Sequence, residues 1–186
     1  MRLQDTRNGY GWISILLHWF TAAAVGTLWF IGNSTQVSDM AEHDRLVRLH
    51  TSVAISVYAF LWLRVIWRFV FGHPGPLPKQ GRFFFAIGKY LHFALVLAIA
   101  LMLVSGPIMV WSSGGPIHVF DWFEIPSPLP ANMALHDFMH RVHELSAAFI
   151  VLGTLLHLSG VFKHSAFNQD GTFDKMMVAA RETDER

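Results

Sequence analysis

The chain has 186 residues, 53% of them hydrophobic and 15% charged, with a formal net charge of +1 at pH 7; soluble domains carry charge on about a quarter of their residues. Near-zero net charge leaves no electrostatic footprint for nucleic acid. The absence of cysteine excludes disulfides, thiolate-held iron–sulfur clusters and haem tethered through C-x-x-C-H.

Four apolar runs are long enough to cross a hydrocarbon core of about 30 Å as helices. The first, "WISILLHWFTAAAVGTLWFIG", covers residues 12–32. It exceeds a signal-peptide core and no convincing cleavage site follows, so it is expected to be retained. The second, residues 46–71, contains "LHTSVAISVYAFLWLRVIWRF". The third, residues 90–111, reads "YLHFALVLAIALMLVSGPIMVW", and Pro107 should kink its far end. The fourth covers residues 138–162 and includes "HELSAAFIVLGTLLH". The expected fold class is an all-α integral membrane protein, a single four-transmembrane-helix bundle over residues 1–186. Residues 112–137 form its outer loop and residues 163–186 its cytoplasmic tail.

Lys and Arg set the orientation. Arg2 and Arg7 precede the first run, Arg68, Lys79, Arg82 and Lys89 lie at the second connection, and Lys163, Lys175, Arg181 and Arg186 follow the fourth. The other connections carry Asp39, Glu42, Asp44, Asp121, Glu124 and Asp137, with Arg45, Arg48 and Arg141 at span entrances. The positive-inside rule then gives N-in, C-in. The connection "SSGGPIHVFDWFEIPSPLPANM" is expected to fold over the outer face, with Phe120, Trp122 and Phe123 as interfacial anchors.

The chain holds 11 histidines, and an ionisable residue inside a membrane suggests a site. His143 and His157 are fourteen residues apart, a helical rise of about 21 Å with a return to within about 40° of the starting direction. With N-in topology, His18 and His157 lie at one depth on the cytoplasmic side, and His50 and His143 at another near the outer face. A single such histidine is more often a hydrogen-bonded core residue. Four at two matching depths, on facing helices, are what two bis-imidazole haems need.

Arg64 also follows His50 by fourteen residues and could meet a haem propionate at the inner level. Arg68, one turn further out, suits that role or snorkelling to the interface. Ala22, Ala23, Ala24, Gly26, Ala54, Gly106 and Gly153 could admit a flat macrocycle or close helix packing. His92, near the depth of His18, could replace His18 or His157 as a ligand, bond a propionate, or line a quinone pocket. His164 lies at the inner surface on nearly the face of His157. A rival constellation is His136, His140 and His143, spaced i, i+4, i+7, which could bind zinc at the outer surface. The chain shows no evident nucleophile or acid–base pair.

"LHWF", "LHTS" with "RVIWR", "YLHFALVL" and the His143/His157 pair, in this order and spacing, resemble the prokaryotic cytochrome b561 family from about Tyr10 to Met177. The resemblance implies a four-helix protein of the bacterial inner (cytoplasmic) membrane with two non-covalent b haems as cofactors, ligated by His18 with His157 and His50 with His143. It also implies electron exchange with quinone, with Lys79, His92 and His164 as candidates for that site. The expected partners are membrane lipid, quinone and a redox partner protein or small donor, with no nucleic acid. Some relatives are superoxide oxidase-like, quinone-linked oxidoreductases; others are haem-bearing anchors of hydrogenases or dehydrogenases. Ala54 departs from the glycine some members carry four residues after the second-span histidine.

Overall fold

The computed structural model describes residues 2–6, 9–71, 74–75, 81–169 and 171–180. Four long helices dominate them: α1 (Trp12–Ser34), α2 (Met40–Phe71), α3 (Arg82–Ser112) and α4 (Met133–Phe162). All four are long and apolar enough to cross a membrane. A hairpin of β1 (Ile117–Val119) and β2 (Phe123–Ile125) joins α3 to α4, and a π-helical turn over Lys163–Asn168 follows α4. Arg7, Lys79, Arg181 and Arg186, used above for orientation, lie outside the described residues.

The helices run longer than their apolar cores because side chains cap them. Asp39 Oδ1 accepts from the Glu42 N–H at 2.9 Å, so α2 starts at Met40 rather than near residue 46. Asn132 Oδ1 accepts from the Leu135 N–H at 3.1 Å and starts α4 at Met133. Each cap satisfies one of the donors a helix N-terminus leaves open.

The distribution of exposure is that of a protein solvated by lipid. Large apolar side chains face outward along every helix, among them Phe30, Phe60, Ile66, Leu97, Leu101, Leu152 and Leu155. The side chains buried most completely are Ser14, Ser52, Ser105 and Ser112, with Arg64 and Arg68 also inside. Without water in the hydrocarbon, those hydroxyls need internal partners. Ser52 donates to the Arg48 carbonyl at 2.6 Å and Ser112 to the Ile108 carbonyl at 2.6 Å, each one turn back in its own helix.

The helices contribute to two compact units, the first formed by Met1–Phe20, Leu63–Ala98 and Ala148–Arg186, the second by Thr21–Trp62 and Ile99–Ala147. In the first, Asp5 organises the N-terminal turn: its carboxylate accepts from the Gly11 N–H at 2.8 Å and the Ser14 hydroxyl at 2.7 Å. Ser14 Oγ accepts in turn from Trp67 Nε1 at 2.8 Å, tying α1 to α2. The tail returns to this turn. Ala180 N–H donates to the Tyr10 carbonyl at 2.9 Å and Arg2 N–H to the Ala180 carbonyl at 3.0 Å. Tyr10, Ile15 and Ala179 close a small apolar cluster there, and burial pushes the Tyr10 phenol up from its ordinary pKa.

In the second unit the hairpin pairs Ile117 with Ile125, His118 with Glu124 and Val119 with Phe123. Ile117 and Val119 are buried, whereas Phe120, Trp122 and Phe123 are exposed. Phe120 turns the strand with a left-handed φ of 47°, costly for a residue with a Cβ. Its N–H donates to Ser52 Oγ at 2.7 Å, which fastens the hairpin to α2 and offsets that cost.

Pro107 sits inside α3 and has no N–H for the carbonyl one turn earlier, that of Leu103. The Tyr58 hydroxyl of α2 takes that role, donating to the Leu103 carbonyl at 3.0 Å. Removing it leaves a polar group unsatisfied in an apolar setting, a cost of about 1–3 kcal/mol. Tyr58→Phe should therefore lower the melting temperature followed by far-UV circular dichroism in detergent. In a Pro107→Ala background, where the restored N–H takes the carbonyl, the same change should cost much less; equal losses in both backgrounds would contradict this role.

Candidate functional site

Each unit brings histidines from different helices together. In the first, the His18 ring of α1 and the His157 ring of α4 have centroids 6.2 Å apart with planes at 70°. In the second, His50 of α2 and His143 of α4 stand 6.4 Å apart at 80°. An imidazole nitrogen binds a first-row metal at about 2 Å, so two imidazoles on opposite sides of one metal have centroids about 6 Å apart. Both pairs meet this spacing. A direct hydrogen bond between rings gives a shorter one: His92 Nε2 lies 3.1 Å from His157 Nδ1, and those centroids are 4.9 Å apart. His92 therefore meets His157 as a hydrogen-bond partner rather than across the spacing of a shared metal.

Small residues make room at the His50/His143 pair. A Cβ on Gly32 would sit 3.2 Å from His50 Cε1, and one on Gly106 would sit 3.4 Å from His143 Cε1. Gly153 serves helix packing instead: a Cβ there would meet Leu95 Cδ2 at 2.8 Å, so its absence lets α3 lie close against α4 one turn from His157. A Cβ at Gly26 would meet nothing within 4 Å, because that face of α1 is exposed.

Two buried polar atoms at these pairs lack a hydrogen bond among the described residues: Arg64 Nη1 and His50 Nδ1. The backbone of Leu28 does act on the His50 ring, but not with the geometry of a hydrogen bond to Nδ1. Arg64 is 7% exposed. Asp5, whose charge reaches Arg64, gives its oxygens to Gly11 and Ser14. A buried guanidinium without a bonded anion is expensive, and the unpaired Nη1 fits an anionic group such as a haem propionate. Arg68 is placed otherwise, donating to the Tyr10 hydroxyl at 3.4 Å with its guanidinium carbon 5.5 Å from that ring's centre. It is buried, so interfacial snorkelling does not describe it.

The rival zinc face does not assemble. His136 and His140 do stack, with centroids 6.1 Å apart, but the nitrogens of the three rings have other partners. His136 Nδ1 bonds the Met109 carbonyl at 2.9 Å, His140 Nδ1 lies 3.6 Å from Glu144, and His143 Nδ1 lies 3.0 Å from Ser105 Oγ. Among the described residues no group of three or more His, Asp or Glu side chains could hold a metal ion. Spacing on one helix put the three on one face; neighbouring partners separated them.

His164 lies in the π-helical turn after α4, with Nδ1 3.2 Å from the Asn168 amide. It lines a cavity of about 230 Å³ with Ser165, Gln169, Gly171, Phe173 and Asp174. Lys79 lies outside the described residues. Ser105 and Gly32 were not singled out from the sequence. The signal for Ser105 was present as a polar residue in the middle of "LMLVSGPIMVW".

The family model described as Prokaryotic cytochrome b561 matches residues 9–178. Cytochrome b561 homolog 2 of Escherichia coli (strain K12) is 29% identical over 181 residues, covering 95% of each chain. Four membrane-crossing helices, two spaced histidine pairs and a match over nearly the whole chain converge: this protein belongs to the prokaryotic cytochrome b561 family, bacterial membrane proteins that bind haem b and transfer electrons.

Proposed function

We propose that this protein carries single electrons across the bacterial inner membrane through two b haems, one held by His18 and His157, the other by His50 and His143. The observation that supports this reading is the pair of ring separations, 6.2 and 6.4 Å, each matching two imidazoles that share one iron. Haem supplies reversible one-electron exchange at iron, and the protein supplies position and potential. A haem held by two histidines would relay electrons without offering its iron to a substrate.

The distribution of Lys and Arg supports N-in, C-in orientation. The His18/His157 pair then faces the cytoplasm and the His50/His143 pair the periplasm. Quinone is reduced at the cytoplasmic end, where His92 and His164, with Lys79 by its place in the sequence, supply hydrogen bonds to its carbonyl oxygens and relay the two protons it takes up. A small one-electron donor, superoxide being the first candidate, delivers at the periplasmic end. Two superoxide anions become two dioxygen molecules, and one quinone takes two electrons and two protons. Arg64 would hold a propionate of the inner haem, where its positive charge would favour the reduced state.

Haem quantitation and reduced-minus-oxidised spectra of purified protein test the assignment. Wild type should carry two b haems per chain and His143→Ala about one; unchanged content in the variant would sink the ligand set. Arg64→Leu should lower one midpoint potential by about 60 mV, the equivalent of tenfold in a one-electron equilibrium. An unmoved potential would remove Arg64 from the site.

A further inference from the structure

α3 supplies neither member of either histidine pair, yet it touches one ring of each. His143 Nδ1 lies 3.0 Å from Ser105 Oγ, and His157 Nδ1 lies 3.1 Å from His92 Nε2. Both contacts are made to α4, both to Nδ1, and both come from residues placed by close helix approach. Gly106, beside Ser105, leaves room for the His143 ring, and Gly153, one turn before His157, admits Leu95 and Leu91 of α3. Ser105 is fully buried, so water does not compete for its hydroxyl.

The protons can be followed at each contact. A neutral imidazole carries one N–H. Ser105 directs its own hydroxyl proton to the Met102 carbonyl at 3.4 Å, which leaves an Oγ lone pair for an N–H from His143 Nδ1. His143 then presents Nε2 unprotonated, the form a metal requires. At His157 the same requirement puts the ring proton on Nδ1, so His92 accepts through Nε2 and carries its own proton on Nδ1. The two contacts differ in strength. An imidazole nitrogen is a better acceptor than a hydroxyl oxygen, and it draws the N–H further. The ring that loses more of its proton binds iron with more negative charge and favours the oxidised state.

We infer that α3 is the tuning helix of this protein: His92 and Ser105 are positioning residues that fix the ring orientation and metal-binding nitrogen of His157 and His143 and set the two haem potentials apart. The inference rests on the ligand set proposed above. It gives His92 a role that does not depend on contact with quinone, and Ser105 a role in electron transfer.

The test is mediator-based redox titration of purified protein, which needs no quinone turnover, on Ser105→Ala, Ser105→Thr, His92→Leu and His92→Gln. His143→Ala and His157→Ala assign each midpoint to its haem. Ser105→Ala should raise the midpoint of the haem missing in His143→Ala and leave the other in place. His92→Leu should raise the midpoint of the haem missing in His157→Ala, and by more. Threonine at 105 and glutamine at 92, which keep an acceptor, should return each midpoint toward wild type. If Ser105→Ala loses haem, recovery in Ser105→Thr supports the role and loss in both overturns it. Unmoved midpoints, or equal shifts of both haems in every variant, overturn the inference while the ligand set stands. Full haem content in His143→Ala and His157→Ala would instead remove the ligand set, and the inference with it.

Discussion

A polar group facing hydrocarbon has no water to turn to, so each one in this protein must find a partner inside the protein or belong to a site. Most are satisfied locally. Serines bond carbonyls one turn back, Tyr58 takes the carbonyl freed by Pro107, and Trp67, Ser14 and Asp5 form a chain that ends on the Gly11 N–H. Among the described residues four buried side-chain atoms are left over, on Thr21, His50, Arg64 and Trp111. Two of these lie where the functional reading needs them. His50 belongs to a histidine pair, and Arg64 is a buried cation suited to a propionate. Nothing in the structure explains the other two.

The same constraint shapes the division of labour among the helices. α4 contributes a histidine to each pair, α1 and α2 one each. α3 holds the α4 rings by their second nitrogens. An imidazole held at Nδ1 cannot rotate freely and presents a defined nitrogen to metal. Ring orientation is thus set by hydrogen bonds that the apolar surroundings make hard to exchange. The glycines at positions 32, 106 and 153 are where this arrangement is tightest. At Gly32 and Gly106 the constraint is clearance for a ring, and at Gly153 it is the approach of a neighbouring helix.

The four crossing helices and both pairs were legible in the sequence, because hydropathy over 20 or so residues and a fourteen-residue spacing are local signals. The hairpin was not. Its strands have three residues each, and Ser52, which holds its turn, is 68 residues away from Phe120. The helices begin several residues before their apolar spans because the caps at Asp39 and Asn132 lie in polar flanks that hydropathy ignores. His136, His140 and His143 show the limit of such local signals. Their spacing was real, but a partner on α3 claimed the third ring, and one helix's periodicity carries no information about its neighbours. The roles of His92 and Ser105 were hidden for the same reason.

The central claim is that two irons each sit between two imidazoles from different helices, with ring planes close to perpendicular. The angles of 70° and 80° make that claim visible to electron paramagnetic resonance of the oxidised protein. Near-perpendicular axial imidazoles give low-spin iron signals of strong axial anisotropy, and the account predicts two of them per chain. High-spin signals, or the rhombic low-spin pattern of parallel rings at both sites, would contradict it.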